Sequence, residues 1–284
     1  MLEYRDVHLR YPEGDRDAVS GFSLSVPEGS VLALLGPNGS GKSTLLLAAL
    51  GWMRPRSGEV LLAGRPASSW PPGERARKAA YLSQIERISF TYEAREFVLM
   101  GRAPHLAPLA EPDARDEERA RAALDALGIG DFAGRPVTAL SGGELQLVRL
   151  ARCLVQEAPL VLLDEPTAAL DPANALRVAQ ALAALAREGR TVVFSTHDAA
   201  LAAYAADSVV LIREGRLLAT GSAGETLVPG LLSKTFSVPF GISGAPSPFL
   251  QAGAGPTGDR RSPPPTGSSI PGAPGDRGSG PSPR

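Results

Sequence analysis

The rhythm of apolar and polar positions changes three times along the chain. LEYRDVHLRY and FSLSV place apolar residues at alternate positions, as strands with one buried face do. VLALL at 31–35 is a continuous apolar run, the pattern of a strand covered on both faces. The PEG at 27–29 separates the last two as a turn. A helix is predicted from Lys42 through LLLAAL to about Trp52, and EVLLAG at 59–64 reads as a further strand.

The stretch 85–135 follows a helical spacing instead. Helices are predicted over 93–100 and 113–127, the second with Ala120, Leu124 and Leu127 on one face. This reads as a helical insertion in an α/β core. From Pro159 strands and helices alternate again. PLVLLDE is a buried strand, Ala175, Ala179, Leu182 and Ala186 mark a helix face, and TVVFSTH is the next strand. SVVLIREGRLLAT reads as a hairpin turning at Glu214 and Gly215. Such alternation favours a mainly parallel sheet with right-handed crossovers. Beyond Phe240 the chain is rich in Pro, Gly and Ser, with almost no large apolar side chain to bury. The expected organisation is therefore one domain over 1–240 and a disordered tail over 241–284.

Composition narrows the function. The 284 residues are 43% apolar, enough for a substantial core, and carry a formal net charge of −1. That balance, with only 5% aromatics, gives no electrostatic or stacking reason to expect nucleic acid as a partner. No run approaches the ~20 apolar residues that span a bilayer. The N-terminus has no signal-peptide core either, so the expected place is the cytosol, reached by a membrane only through a partner. Cys153 is the single cysteine and is expected to be a buried small residue. Lysine occurs only at Lys42, Lys78 and Lys234, in a chain that otherwise uses Arg.

Lys42 stands in the sharpest chemical signal. Gly36, Pro37, Asn38, Gly39, Ser40, Gly41, Lys42, Ser43 and Thr44 fit G-x-x-x-x-G-K-[ST], after a predicted strand and opening a predicted helix. The glycines let backbone N–H groups face a phosphate chain, and the helix end adds its positive dipole. Lys42 would place charge on the β- and γ-phosphates, the Ser43 hydroxyl would be a Mg²⁺ ligand, and Thr44 would bond the α-phosphate. A second signal is the carboxylate pair where the strand 160–163 ends. Asp164 would hold Mg²⁺ and Glu165 would act as general base on the attacking water. His197 ends the following strand and would reach the γ-phosphate.

Leu140-Ser-Gly-Gly-Glu-Leu-Gln146 gives these elements a family context. LSGGE resembles the signature of ATP-binding cassette proteins, and the loop at 36–44, LLDEP at 162–166, LD at 170–171 and His197 match that family in order and spacing over about residues 2–236. The resemblance implies a P-loop nucleoside-triphosphatase core with a mainly parallel sheet, an antiparallel β subdomain and a helical subdomain at about 85–157. It implies that Tyr11 stacks on adenine and that Gln84 senses the γ-phosphate and contributes to the Mg²⁺ site. It also implies that Ser141, Gly142, Gly143 and Glu144 contact ATP held by a second subunit, and that Asp171 lies at the dimer interface. A capped helix start at Ser141 would supply the second cluster of phosphate-facing amides. Leu147 departs from the family, which often has a basic residue there; Arg149 and Arg152 follow on the same helix.

The stretch EFVLMGRAPH at 96–105 is similar to ATPases of importers for iron–siderophore complexes, haem and cobalamin. The expected partners are a second copy of the chain, an integral membrane permease and, indirectly, an external solute-binding protein. The expected location is the cytoplasmic face of the membrane. Manganese or zinc import, export, and a soluble non-transport ATPase are the alternatives.

Overall fold

Two sheets form because the two strand patterns need different cover. The structure is a computed structural model describing residues 1–86, 88–168 and 170–240, so the tail expected to be disordered lies outside the described residues. The alternating strands β1 (Leu2–Leu9) and β2 (Val19–Val26) pair antiparallel, and β4 (Ser57–Leu62) and β5 (Arg65–Pro66) complete a sheet of order β2-β1-β4-β5. Its inner face buries Leu2, Tyr4, Val7 and Phe22.

The continuous apolar runs build the second sheet. Its strands are β3 (Val31–Leu35), β6 (Ala79–Leu82), β7 (Leu160–Asp164), β8 (Thr191–Thr196), β9 (Ser208–Arg213) and β10 (Arg216–Gly221), in the order β10-β9-β3-β8-β7-β6. All pairings are parallel except the β9–β10 hairpin, which turns at Glu214 and Gly215 with positive φ at both. Each central strand feeds two cores. Val31, Ala33 and Leu35 join one, and Leu32 and Leu34 the other. That is why these strands read as unbroken apolar runs.

Helix α1 (Lys42–Ala49) packs between the sheets. It stops short of the expected Trp52. The Gly51 N–H bonds Ala48 O and the Trp52 N–H bonds Leu47 O, a Schellman stop, with Gly51 at φ +65°. A Cβ there would lie 2.5 Å from Ala67 O. The strand expected to reach Gly64 likewise ends at Leu62, because Ala63 and Gly64 take positive φ and turn into β5.

Between β6 and β7 lie α3 (Ala94–Leu99), α4 (Ala114–Ala126) and α5 (Gly142–Leu154), preceded by α2 (Pro72–Lys78). The mutual faces of α3, α4 and α5 bury Phe97, Val98, Leu124, Val148 and Cys153, whose thiol pKa is pushed up to about 12 by burial. Helices α6 (Pro172–Arg187), α7 (Ala199–Ala205), α8 (Ala223–Thr226) and α9 (Pro229–Phe236) complete the described chain.

The GRAPH stretch at 101–105 proves to be a packing device. A Cβ on Gly101 would lie 2.3 Å from Arg152 O, so only glycine lets this turn rest on α5. Buried Arg102 donates to Asp116 Oδ1, Val155 O and Glu157 Oε2, each at 2.9 Å. Asp116→Ala leaves that guanidinium short of one charged partner. It is expected to lower stability by about 2 kcal/mol, read as a reduced Tm; an unchanged Tm would show the pair to be dispensable.

Candidate active site

The turn leaving β3 is shaped by its glycines. A Cβ on Gly36 would lie 2.2 Å from Ile212 O, and Gly41 caps α1 with φ +101°. The chain then wraps its own lysine: Lys42 Nζ donates to Gly36 O at 2.8 Å and to Pro37 O at 3.0 Å. Burial pulls the Lys42 pKa down, and the carboxylates of Glu165 and Asp164 partly offset that. The Tyr11 hydroxyl shares a 3.2 Å hydrogen bond with Thr44 Oγ1, which brings the loop after β1 over this turn.

The parallel register of β7 and β8 sets Asp164 beside Ser195. The buried Ser195 hydroxyl donates to Asp164 Oδ1 at 2.5 Å and accepts the Glu165 N–H at 2.9 Å. Glu165 has φ +48°, a left-handed conformation uncommon outside glycine. This breaks the in–out alternation of the strand, so Glu165 can turn toward Lys42 although Asp164 precedes it directly. Lys42 Nζ lies 3.9 Å from Glu165 Oε1. Glu165 Oε2 sits 3.3 Å from His197 Nδ1 and accepts a long hydrogen bond, 3.4 Å, from Gln84 Nε2. Three residues predicted from separate segments, Lys42, Gln84 and His197, thus converge on one carboxylate. The cleft beside them measures about 440 Å³ and is lined by Tyr11, Ala18, residues 38–44, Gln84 and Glu165. That is within the usual range for a small-molecule site.

Mg²⁺ fits this donor set. Ser43, Asp164 and Gln84 offer hard oxygens, and Mg²⁺ binds through one or two protein oxygens plus substrate phosphates and water. Among the described residues no group of three or more His, Cys, Asp or Glu side chains forms a protein-only metal cage.

The signature segment stands apart from the cleft. Ser141 caps α5: its hydroxyl accepts the Glu144 N–H at 3.3 Å, and its own N–H donates to Glu144 Oε2 at 2.7 Å. Arg135 donates to Glu144 Oε1 at 2.8 Å. The Ser141 N–H and hydroxyl, then Arg135, hold the Glu144 pKa down at about 2. Both Glu144 oxygens are therefore engaged locally, and the residue caps α5. Because its folded pKa is depressed, the stabilisation is full above the ordinary carboxylate range and is lost as pH falls through about 2. Ser141, Gly142 and Asp171 are exposed, and none of them nor Gly143 lines the cleft. Asp171 caps α6 by accepting the Ala173 and Asn174 N–H groups. One chain alone does not bring these residues to Lys42.

Ser195 escaped the sequence reading, and so did the contacts of Arg149, which donates to Ser83 O at 2.6 Å, Gln146 Oε1 at 2.7 Å and Glu86 Oε2 at 3.1 Å, while Gln146 Nε2 donates to Pro166 O at 3.2 Å. The loop bearing Gln84 is thereby tied to α5 and to the turn after Glu165. Leu147, the departure from the family pattern, is 1% exposed in the core, and Arg149 and Arg152 supply the charges to Glu86. Arginines three apart on one helix, with Glu86 upstream, were the only available sign.

Comparison with known proteins agrees with this geometry. A family described as ABC transporter matches residues 19–168. The hemin import ATP-binding protein HmuV of Streptomyces coelicolor is 46% identical over 233 residues, covering 81% of this chain and 82% of that protein. The chain resembles a solved inward-facing ABC transporter assigned to the metal-chelate type, with TM-score 0.74 and 33% identity over 84% of this chain and 89% of that one. It also resembles the dimeric bacterial ABC transporter cassette MJ0796, with TM-score 0.71 and 28% identity over 78% of this chain and 99% of that one. Among the described residues no helix is long and apolar enough to cross a membrane.

Proposed function

Because the chain belongs to the ABC transporter family of ATPases, we propose that it powers a haem importer, with Mg²⁺ as cofactor and a permease as its membrane partner. The chain is an importer ATPase; the cargo, the metal and the residue roles are the proposal. The observation that supports haem most directly is the 46% identity to a hemin import ATP-binding protein across most of both chains.

In this reading ATP lies in the cleft with its phosphates against residues 36–44 and its base against Tyr11. Lys42 and the turn amides neutralise the β- and γ-phosphates. Glu165 takes a proton from water as the water oxygen attacks the γ-phosphorus, and ADP departs with the electrons of the broken P–O bond. His197 donates to the γ-phosphate oxygens, and Gln84 links the arrival of that phosphate to the α3–α5 region. Ser43 and Asp164, with Gln84 nearby, hold Mg²⁺, which when bound neutralises phosphate charge. Ser141, Gly142, Gly143 and Asp171 act on the nucleotide of a second copy, paired head to tail. The dimer works peripherally, at the cytoplasmic face of the membrane, beneath a permease fed by an external binding protein.

The test is purification of the chain from membranes with the integral membrane protein it carries, followed by reconstitution of that complex. Haem-loaded binding protein is expected to raise ATPase turnover several-fold in proteoliposomes. Stimulation by a cobalamin- or siderophore-loaded protein alone would replace haem as cargo. Failure to co-purify any integral membrane protein would remove the permease.

A further inference from the structure

The least accessible side chain touching both acids is one that the reaction scheme above leaves without a task. Ser195 is fully buried in the middle of the main sheet. Its two neighbours on β8 behave differently: Phe194 is core, and Thr196 Oγ1 accepts the Asp198 N–H at the start of α7. Ser195 alone on this strand reaches sideways to β7. Its one O–H is given to Asp164 Oδ1, and a lone pair takes the Glu165 N–H.

A hydroxyl has one proton and can do both jobs at once only in this polarity. The donated proton occupies one Asp164 oxygen and restricts the plane of that carboxylate, leaving the other oxygen for a different partner. The accepted N–H belongs to the residue at φ +48°. Strained backbone persists only where its surroundings fix it, and the Ser195 hydroxyl is the partner of that buried N–H. The phenol of Tyr81 also faces Asp164, but it does not reach the Glu165 backbone. One atom therefore sets the relative placement of the metal-binding acid and the general base.

We propose that Ser195 is a positioning residue that aligns Asp164 for Mg²⁺ and Glu165 for water in a single step. This rests on the reading that Asp164 carries Mg²⁺. Residues that orient a metal's ligands commonly change metal affinity or activity by about 10–100-fold when removed.

Binding of a fluorescent ATP analogue to the full chain, with and without Mg²⁺, tests this apart from turnover. Without Mg²⁺, Ser195→Ala is expected to bind the analogue as the parent does. The gain in affinity on adding Mg²⁺ is expected to shrink about 10-fold, and the Mg²⁺ needed for half-maximal ATPase to rise in step. Ser195→Thr keeps the hydroxyl and restores the gain. Ser195→Val has the shape of threonine without the hydroxyl and does not, so this pair separates hydrogen bonding from bulk even if the alanine variant folds poorly. A parent-like Mg²⁺ gain in Ser195→Ala, or identical behaviour of the Thr and Val variants, overturns the proposal. Asp164→Asn distinguishes the premise: if it keeps the full Mg²⁺ gain, Asp164 is not the metal ligand and both readings fall. If it loses the gain while Ser195→Ala does not, only the role of Ser195 falls.

Discussion

Lys42→Ala weakens ATP binding by at least about 30-fold, the consequence of removing one partner of a buried charge pair, an effect of about 2 kcal/mol or more. The side chain is 5% exposed, so its charge is weakly screened by solvent. The same ammonium also satisfies Gly36 O and Pro37 O. Its removal thus also loosens the turn whose amides should face the phosphates. The pH dependence has a definite sign. The ammonium is the form that attracts phosphate, and burial lowers its pKa from the ordinary lysine value. Affinity therefore falls as pH rises through that lowered value, and a third anion in the cleft pushes the pKa back up. Isothermal titration of parent and variant across pH measures both effects. Equal affinities would mean that the turn at 36–44 does not hold the triphosphate.

How much of this was legible depended on how far apart the cooperating residues lie. The turn at 36–44 is local, and so are the strand ends at Asp164 and His197, and each carries its own pattern. Their convergence followed from one topological rule, that parallel strands deliver their C-terminal ends to a common edge. The end of α1 was misjudged although Gly51 was in plain view, because LLLAALGWM continues an apolar rhythm that a left-handed glycine interrupts without changing composition. The contacts of Ser195 with residues 30 and 31 positions away required the β7–β8 register. A polar residue inside the otherwise apolar run VVFS was the sole hint. Arg149 reaches 66 positions back to Ser83. The Glu144 cap is the opposite case: the S-x-x-E pattern inside the signature is local, and elementary helix chemistry predicts its reciprocal hydrogen bonds.

Glu165→Gln is expected to abolish most turnover, by about 10²–10⁴-fold, the usual worth of a general base, while ATP binding is retained. The geometry adds a second, less obvious effect. The Glu165 carboxylate lies 3.9 Å from Lys42 Nζ and 3.3 Å from His197 Nδ1, with Gln84 donating to it. Those three groups are the ones assigned to the γ-phosphate. An internal anion therefore shares the partners that the incoming phosphate needs. The amide keeps the shape and removes that charge, so ATP affinity rises, whereas ADP, which lacks the γ-phosphate, gains little. With hydrolysis blocked, each ATP would stay clamped between the turn at 36–44 of one copy and Ser141 of the other. The variant should then elute as a dimer with ATP and as a monomer with ADP in size-exclusion chromatography. A variant that hydrolyses ATP at the parent rate would strip Glu165 of the role of base. Equal strengthening of ATP and ADP would show instead that its carboxylate competes with no particular phosphate.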